Sequence, residues 1–173
     1  MKLFLVGYAG SGKSTFARHL SRRLAAKCVD TDKCVEQMVG ATIADIFFYE
    51  GEEYFRRSER EALERVTDQE GDAIIATGGG LPIWSDNMEW MNSRGVTIYL
   101  RRSAEQILGR LSEFGRQKRP LFRGKNDEEL LEFMHQQMAE REVYYAKAQI
   151  VIDCTSLSDE AAVEHIVNRV TNL

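Results

Sequence analysis

Nine residues, Gly7-Tyr8-Ala9-Gly10-Ser11-Gly12-Lys13-Ser14-Thr15, constrain this chain more than any other stretch. They match G-x-x-x-x-G-K-[ST], a loop whose backbone N–H groups converge on phosphate oxygens. Such a loop has to leave a strand and enter a helix. Lys2-Leu3-Phe4-Leu5-Val6 reads as a buried strand, and Phe16, Leu20 and Leu24 recur at helical spacing over Thr15 to Ala26. Glycines let the backbone curl, and the helix N-terminus adds its own attraction for anions. Gly10, Ser11, Gly12, Lys13, Ser14 and Thr15 are the expected nucleotide contacts. Lys13 supplies positive charge for the outer phosphates and the Ser14 hydroxyl is placed to ligate Mg²⁺. A chance glycine-rich turn is the alternative, and the flanking strand and helix argue against it. The motif predicts a nucleoside triphosphate ligand.

With 173 residues the chain is long enough for one α/β domain and too short for a motor or a helicase. A formal net charge of -4 argues against a nucleic-acid partner. Only four consecutive apolar residues precede Gly7, too few for a signal peptide, and no apolar run approaches the roughly 20 residues of a membrane span. Cys28, Cys34 and Cys154 lack zinc-type spacing, so they read as reduced thiols of a cytoplasmic protein. His19, His135 and His165 fall in helical segments with no partner at ligand spacing.

A second short strand, Lys27-Cys28-Val29-Asp30, runs into Asp30-Thr31-Asp32. An extended chain there points both carboxylates the same way, at the strand end where open α/β sheets bind ligands. One would hold a metal's water shell and the other accept a proton from a hydroxyl. Alternatively, one of them only caps a helix through Cys34 to Val39. Ala41 to Tyr49 reads as a short helix capped by Thr42 and ended by Gly51, and a longer helix then runs to about Thr67. Its Glu53/Arg57 and Glu61/Arg65 pairs make a solvated, salt-bridged helix the better reading from spacing alone.

Asp72 to Ala76 is the third strand, and it leads into Thr77-Gly78-Gly79-Gly80. Glycines at a strand end either let a ligand reach bare backbone or make a plain turn. Trp84, Met88 and Met91 recur at helical spacing and read as core. Val96 to Leu100 is the fourth strand, and Ser103 caps a helix through Leu111. Arg110 to Lys125 carries six basic residues against Glu113 alone and lacks periodicity, so it reads as a loop. It is a nucleic-acid patch, an inert face or a mobile lid, and the lid suits a P-loop kinase best. Asp127 to Lys147 is a long helix carrying Arg141, Gln149 to Asp153 the fifth strand, and Ser158 to Val170 the closing helix.

G-x-x-G-S-G-K-S-T, D-T-D at 30–32, G-E-x-x-F-R at 51–56, G-G-G at 78–80, R-P-L at 119–121 and R-x-x-x-Y at 141–145 occur in that order. Together they resemble shikimate kinase over nearly the whole chain. The resemblance implies one three-layer α/β/α domain over 1–173, with a five-stranded parallel sheet in the order 2-3-1-4-5. A mobile lid would span about 110–126 and a substrate-binding helical region about 31–66. The implied reaction moves the ATP γ-phosphoryl to the 3-hydroxyl of shikimate, on the route to chorismate and the aromatic amino acids.

The same resemblance implies roles by position. Lys13, Asp32 and Arg119 are the catalytic set, with Asp32 as base and Arg119 on the phosphates. Asp32, Arg56, Gly78, Gly79, Gly80 and Arg141 contact shikimate, the two arginines gripping its carboxylate. Ser14 binds Mg²⁺, Asp30 holds it through water, and Arg110 lies against the adenine. The partners are then ATP and shikimate alone, for a monomer with no nucleic acid and no membrane. Gluconate-type kinases lack the paired arginines and G-E-x-x-F-R. A GTPase reading fails because Asp68-Gln69-Glu70-Gly71 precedes a strand rather than ending one, and no N-K-x-D occurs.

Overall fold

Short β-forming runs sort themselves by burial within one sheet. The computed structural model describes residues 1–172. Strands Lys2–Val6 (β1), Lys27–Asp30 (β2), Ala73–Ala76 (β3), Val96–Arg101 (β4) and Ile150–Asp153 (β5) pair in parallel in the order β2-β3-β1-β4-β5. The central three are almost continuously buried, as strands covered on both faces must be. The edges β2 and β5 carry exposed residues.

The helices are Lys13–Leu24 (α1), Thr31–Val39 (α2), Ile43–Glu50 (α3), Glu52–Asp68 (α4), Asn87–Arg94 (α5), Ala104–Arg110 (α6), Glu113–Gln117 (α7), Asp127–Tyr145 (α8) and Asp159–Val170 (α9). Alternate side chains of β1 face opposite layers. Leu3 and Leu5 pack with Phe16 and Leu20 of α1 and with Val163 and Ile166 of α9. Phe4 and Val6 pack with Leu63 of α4, Met91 of α5 and Leu130 and Met134 of α8. That is the expected three-layer architecture and strand order. A smaller cluster of Val35, Ile46, Phe55 and Ala62 joins α2, α3 and α4 beyond the β2 edge. Two expected caps form, Thr42 accepting from the Asp45 N–H and Ser103 from Gln106, and Ser158 caps α9 by accepting from Ala161.

Two local readings are corrected. The 30–32 segment is not extended: α2 begins at Thr31, and the Asp30 carboxylate accepts from the Asp32 N–H at 3.1 Å. The capping alternative is what forms. Nor is the basic stretch after Arg110 only a loop. Ser112 caps α7 by accepting from the Gly115 N–H at 3.0 Å, and Pro120 opens a 3₁₀ turn over Pro120–Phe122. Phe122 is buried, stacked 6.3 Å from the Tyr8 ring and edge-on to Phe133 at 6.4 Å.

Leu5 sits fully buried at the centre of β1. Leu5→Ala should cost about 2–5 kcal/mol of unfolding free energy in a urea titration. A loss under about 1 kcal/mol would place the core elsewhere.

Candidate active site

Between β1 and α1 the chain turns on Gly10 and Gly12, with φ of +80° and +98°, values that side chains disfavour. The Lys13 ammonium is buried and donates to the Gly7 and Tyr8 carbonyls at 2.7 and 2.8 Å. Burial pushes its pKa down to about 7, while Asp32 opposes the shift and Arg119 adds to it. The Ser14 hydroxyl donates to Asp30 Oδ2 at 2.8 Å. A hydroxyl and a carboxylate so placed are the hard oxygen donors Mg²⁺ prefers, and few protein ligands suffice for it.

Asp32 stands one residue inside α2. Its Oδ1 is buried without a hydrogen-bond partner among the described residues. Burial first, and the neighbouring Asp30 second, push its pKa up to about 6, with Lys13 opposing. Asp32 thus lines the site's cavity from the first turn of α2 rather than from an extended chain.

The glycines after β3 leave no room for side chains. A Cβ on Gly78 would lie 2.7 Å from both Asp32 Oδ1 and Glu59 Oε1, and one on Gly79 would lie 3.0 Å from the Ala9 backbone nitrogen. At Gly80 it would collide with the Arg56 guanidinium. Bare backbone here admits the protein's own charged groups. The Gly78 N–H donates to Thr31 Oγ1 at 3.0 Å, and the Gly79 carbonyl accepts from Tyr145 Oη at 2.6 Å.

Arg56 is not a solvated residue. Its side chain is 11% exposed and pairs with Glu59 at 2.5 Å and with Glu52 at 3.5 Å, whereas its neighbour Arg57 is 71% exposed and pairs with Glu53. Arg141 of α8 lies over the Tyr8 ring, 5.7 Å from its centroid. A cavity of about 360 Å³ opens across the carboxyl ends of the strands. Lys13, Ser14, Asp30, Asp32, Gly78, Gly79, Arg110 and Arg119 all reach its wall. Arg56, Gly80 and Arg141, three of the expected substrate contacts, do not line this cavity. Arg119 donates to the Gly115 carbonyl at 2.7 Å, and Arg110 is paired with Asp159.

The family model for shikimate kinase matches residues 9–171. The shikimate kinase of Parabacteroides distasonis is 38% identical over 167 residues, covering 96% of this chain and 95% of that protein. This chain belongs to the shikimate kinase family. The crystal structure of shikimate kinase from Bacteroides thetaiotaomicron superposes with a TM-score of 0.89 at 32% identity, covering 100% of this chain and 99% of that one. Shikimate kinase from Acinetobacter baumannii, solved in complex with shikimate, superposes at 0.87 with 31% identity, covering 99% of this chain and 93% of that one.

Within this shikimate kinase fold, Glu59 is the site residue that sequence reasoning missed. It is 1% exposed, and burial pushes it up to about 7, Arg56 pulling the other way and Asp32 adding to the rise. The signal was available, because Glu59 shares the helical face of Phe55, Ala62, Leu63 and Val66, all of them buried. Arg102 was missed as well: its buried guanidinium donates to the Ser11 carbonyl at 2.9 Å.

The Lys13 environment has a consequence for protons. With its pKa lowered to about 7, Lys13 should lose much of its charge in the free protein as the pH rises to 8, and an anionic phosphate beside it should raise its pKa again. ADP binding at pH 8 should therefore take up as much as about one proton. Calorimetry in two buffers of different ionisation enthalpy measures this. No uptake would show that Lys13 is already charged in the free protein.

Proposed function

We propose that this chain is an ATP-dependent shikimate kinase that phosphorylates the 3-hydroxyl of shikimate, giving shikimate 3-phosphate for chorismate and aromatic amino acid synthesis. The observation that carries the reading is Asp32, a buried carboxylate with an unpartnered oxygen, within electrostatic reach of the P-loop lysine and of Arg56. A carboxylate held near neutral pKa suits proton acceptance from an alcohol.

ATP would lie with its phosphates over Gly10 to Thr15 and its γ-phosphoryl towards Asp32. The 3-hydroxyl oxygen attacks in line: an O–P bond forms to the γ-phosphorus, the bond to the β–γ bridging oxygen breaks, and ADP leaves. The hydroxyl proton passes to Asp32. Because charge is spread over the transferring group, Lys13 and Arg119 stabilise it electrostatically rather than covalently. Mg²⁺, held by Ser14 and through water by Asp30, would neutralise charge on the β- and γ-phosphates.

Arg56 and Arg141 would take the shikimate carboxylate, where planar guanidinium forks match a planar acceptor. Gly78, Gly79 and Gly80 leave room for the ring against bare backbone. In the free protein Arg56 leans on Glu59 instead, a pairing that keeps its charge from standing alone in a buried place. Residues 110–126 act as the lid and 31–66 as the substrate-binding helical region of one domain spanning 1–173. Closure of the lid brings Arg119 onto the phosphates and keeps out water that would hydrolyse ATP. The protein works as a cytoplasmic monomer. No helix among the described residues is long and apolar enough to cross a membrane.

A coupled ADP-release assay with shikimate, quinate, gluconate or no acceptor tests the assignment. Turnover should depend on shikimate, and equal rates without acceptor would contradict it. Arg56→Ala and Arg141→Ala should each raise the shikimate KM about tenfold to a hundredfold with ADP affinity nearly intact. Asp32→Asn should lower kcat by about 10²–10⁴ and change KM little. Unchanged kcat would remove Asp32 as base.

A further inference from the structure

Two arginines share one carboxylate at the edge of the cavity. Asp159, the first residue of α9, accepts from Arg102 Nη2 through Oδ1 at 2.6 Å. It also accepts from Arg110 Nη1 through Oδ1 at 3.3 Å and from Arg110 Nη2 through Oδ2 at 2.9 Å. The two arginines have different surroundings. The Arg102 side chain is 3% exposed, and its remaining donors reach the Ser11 carbonyl at 2.9 Å and the Cys154 carbonyl at 3.4 Å. Arg110 is 39% exposed, ends α6 and lines the cavity. Its Nη2 lies 3.6 Å from where a Cβ on Gly12 would stand.

We propose that Asp159 is a positioning residue that fixes the Arg110 guanidinium for the nucleotide base and indexes it, through Arg102, to the phosphate loop. This rests on the reading of the cavity as an ATP site. An arginine on the last turn of a helix, with the lid directly after it, otherwise samples many rotamers. Ordering it when a ligand arrives costs binding energy. Two contacts to one carboxylate set both the place and the plane of the guanidinium. They use its in-plane donors and leave its flat face for a planar purine. Asp159 is itself held by a buried arginine that grips the Ser11 carbonyl. Base-side and phosphate-side contacts are thereby referred to one rigid node joining β5, α9 and the loop.

The test is calorimetric, with ADP and inorganic pyrophosphate as probes, on wild type, Asp159→Asn, Arg110→Ala and the double variant. Asp159→Asn should weaken ADP about fivefold to twentyfold and leave pyrophosphate within about twofold. In the Arg110→Ala background the same substitution should change ADP affinity less than about twofold, since its effect runs through Arg110. Arg110→Lys should match Asp159→Asn, because an ammonium cannot make the two-point contact. This variant carries the test if Asp159→Asn does not fold. Equal losses for ADP and pyrophosphate, or a loss that persists without Arg110, would make Asp159 a prop for the phosphate loop and overturn the proposal. So would wild-type ADP affinity in Asp159→Asn or Arg110→Lys. Failure of the wild type to bind ADP at all would bring down the nucleotide reading itself.

Discussion

The site depends on a stretch of chain without side chains. Where β3 ends, Gly78, Gly79 and Gly80 are met on one side by the phosphate loop at Ala9 and on the other by Asp32, Glu59 and Arg56. A methyl group at any of them would occupy space already filled by a charged group or by backbone. The sheet order creates this seam by setting β3 beside β1, so that the exits of both strands open together. The helices on the β2 side then deliver their charges to it.

Those charges are costly where they stand. Lys13, Asp32, Glu59 and Arg56 are buried within one neighbourhood, and burial raises both acids and lowers the lysine. Each is tempered by an opposite charge nearby, which lets the set persist in the free protein. In the proposed reading the Gly7 and Tyr8 carbonyls at Lys13 hold the place a phosphate would take, and Glu59 at Arg56 the place of a substrate carboxylate. An anionic ligand exchanges one partner for another rather than creating a charge pair from nothing.

What could be read from sequence was whatever local chemistry decides. The phosphate loop was legible because its glycines and lysine act through backbone geometry within nine residues. The strands were legible because a doubly covered parallel sheet is apolar nearly throughout. Asp30 misled in one respect: its carboxylate competes for the Asp32 N–H and starts a helix where an extended chain was expected. Glu59 was hidden because the pairs four residues apart, such as Glu53 and Arg57, mark the exposed face of α4, while Arg56 and Glu59 are three apart and shielded from solvent. Helix α7 was hidden by its five-residue length, although Ser112 was its cap. Arg102 and Asp159 are 57 residues apart, and only the packing of α9 beside the loop makes them one unit.

Gly80 offers the most direct test of the seam. Its φ and ψ of -92° and -15° suit any residue, so Gly80→Ala adds a methyl group with no backbone penalty. The nearest atoms that methyl would meet belong to the Arg56 guanidinium, which must shift to admit it. The measurement is the shikimate KM of this variant beside its ADP affinity. The account predicts a KM raised about tenfold or more with ADP binding within about twofold of wild type. A shikimate KM unchanged from wild type would mean that the bare backbone does not hold the guanidinium where the substrate needs it.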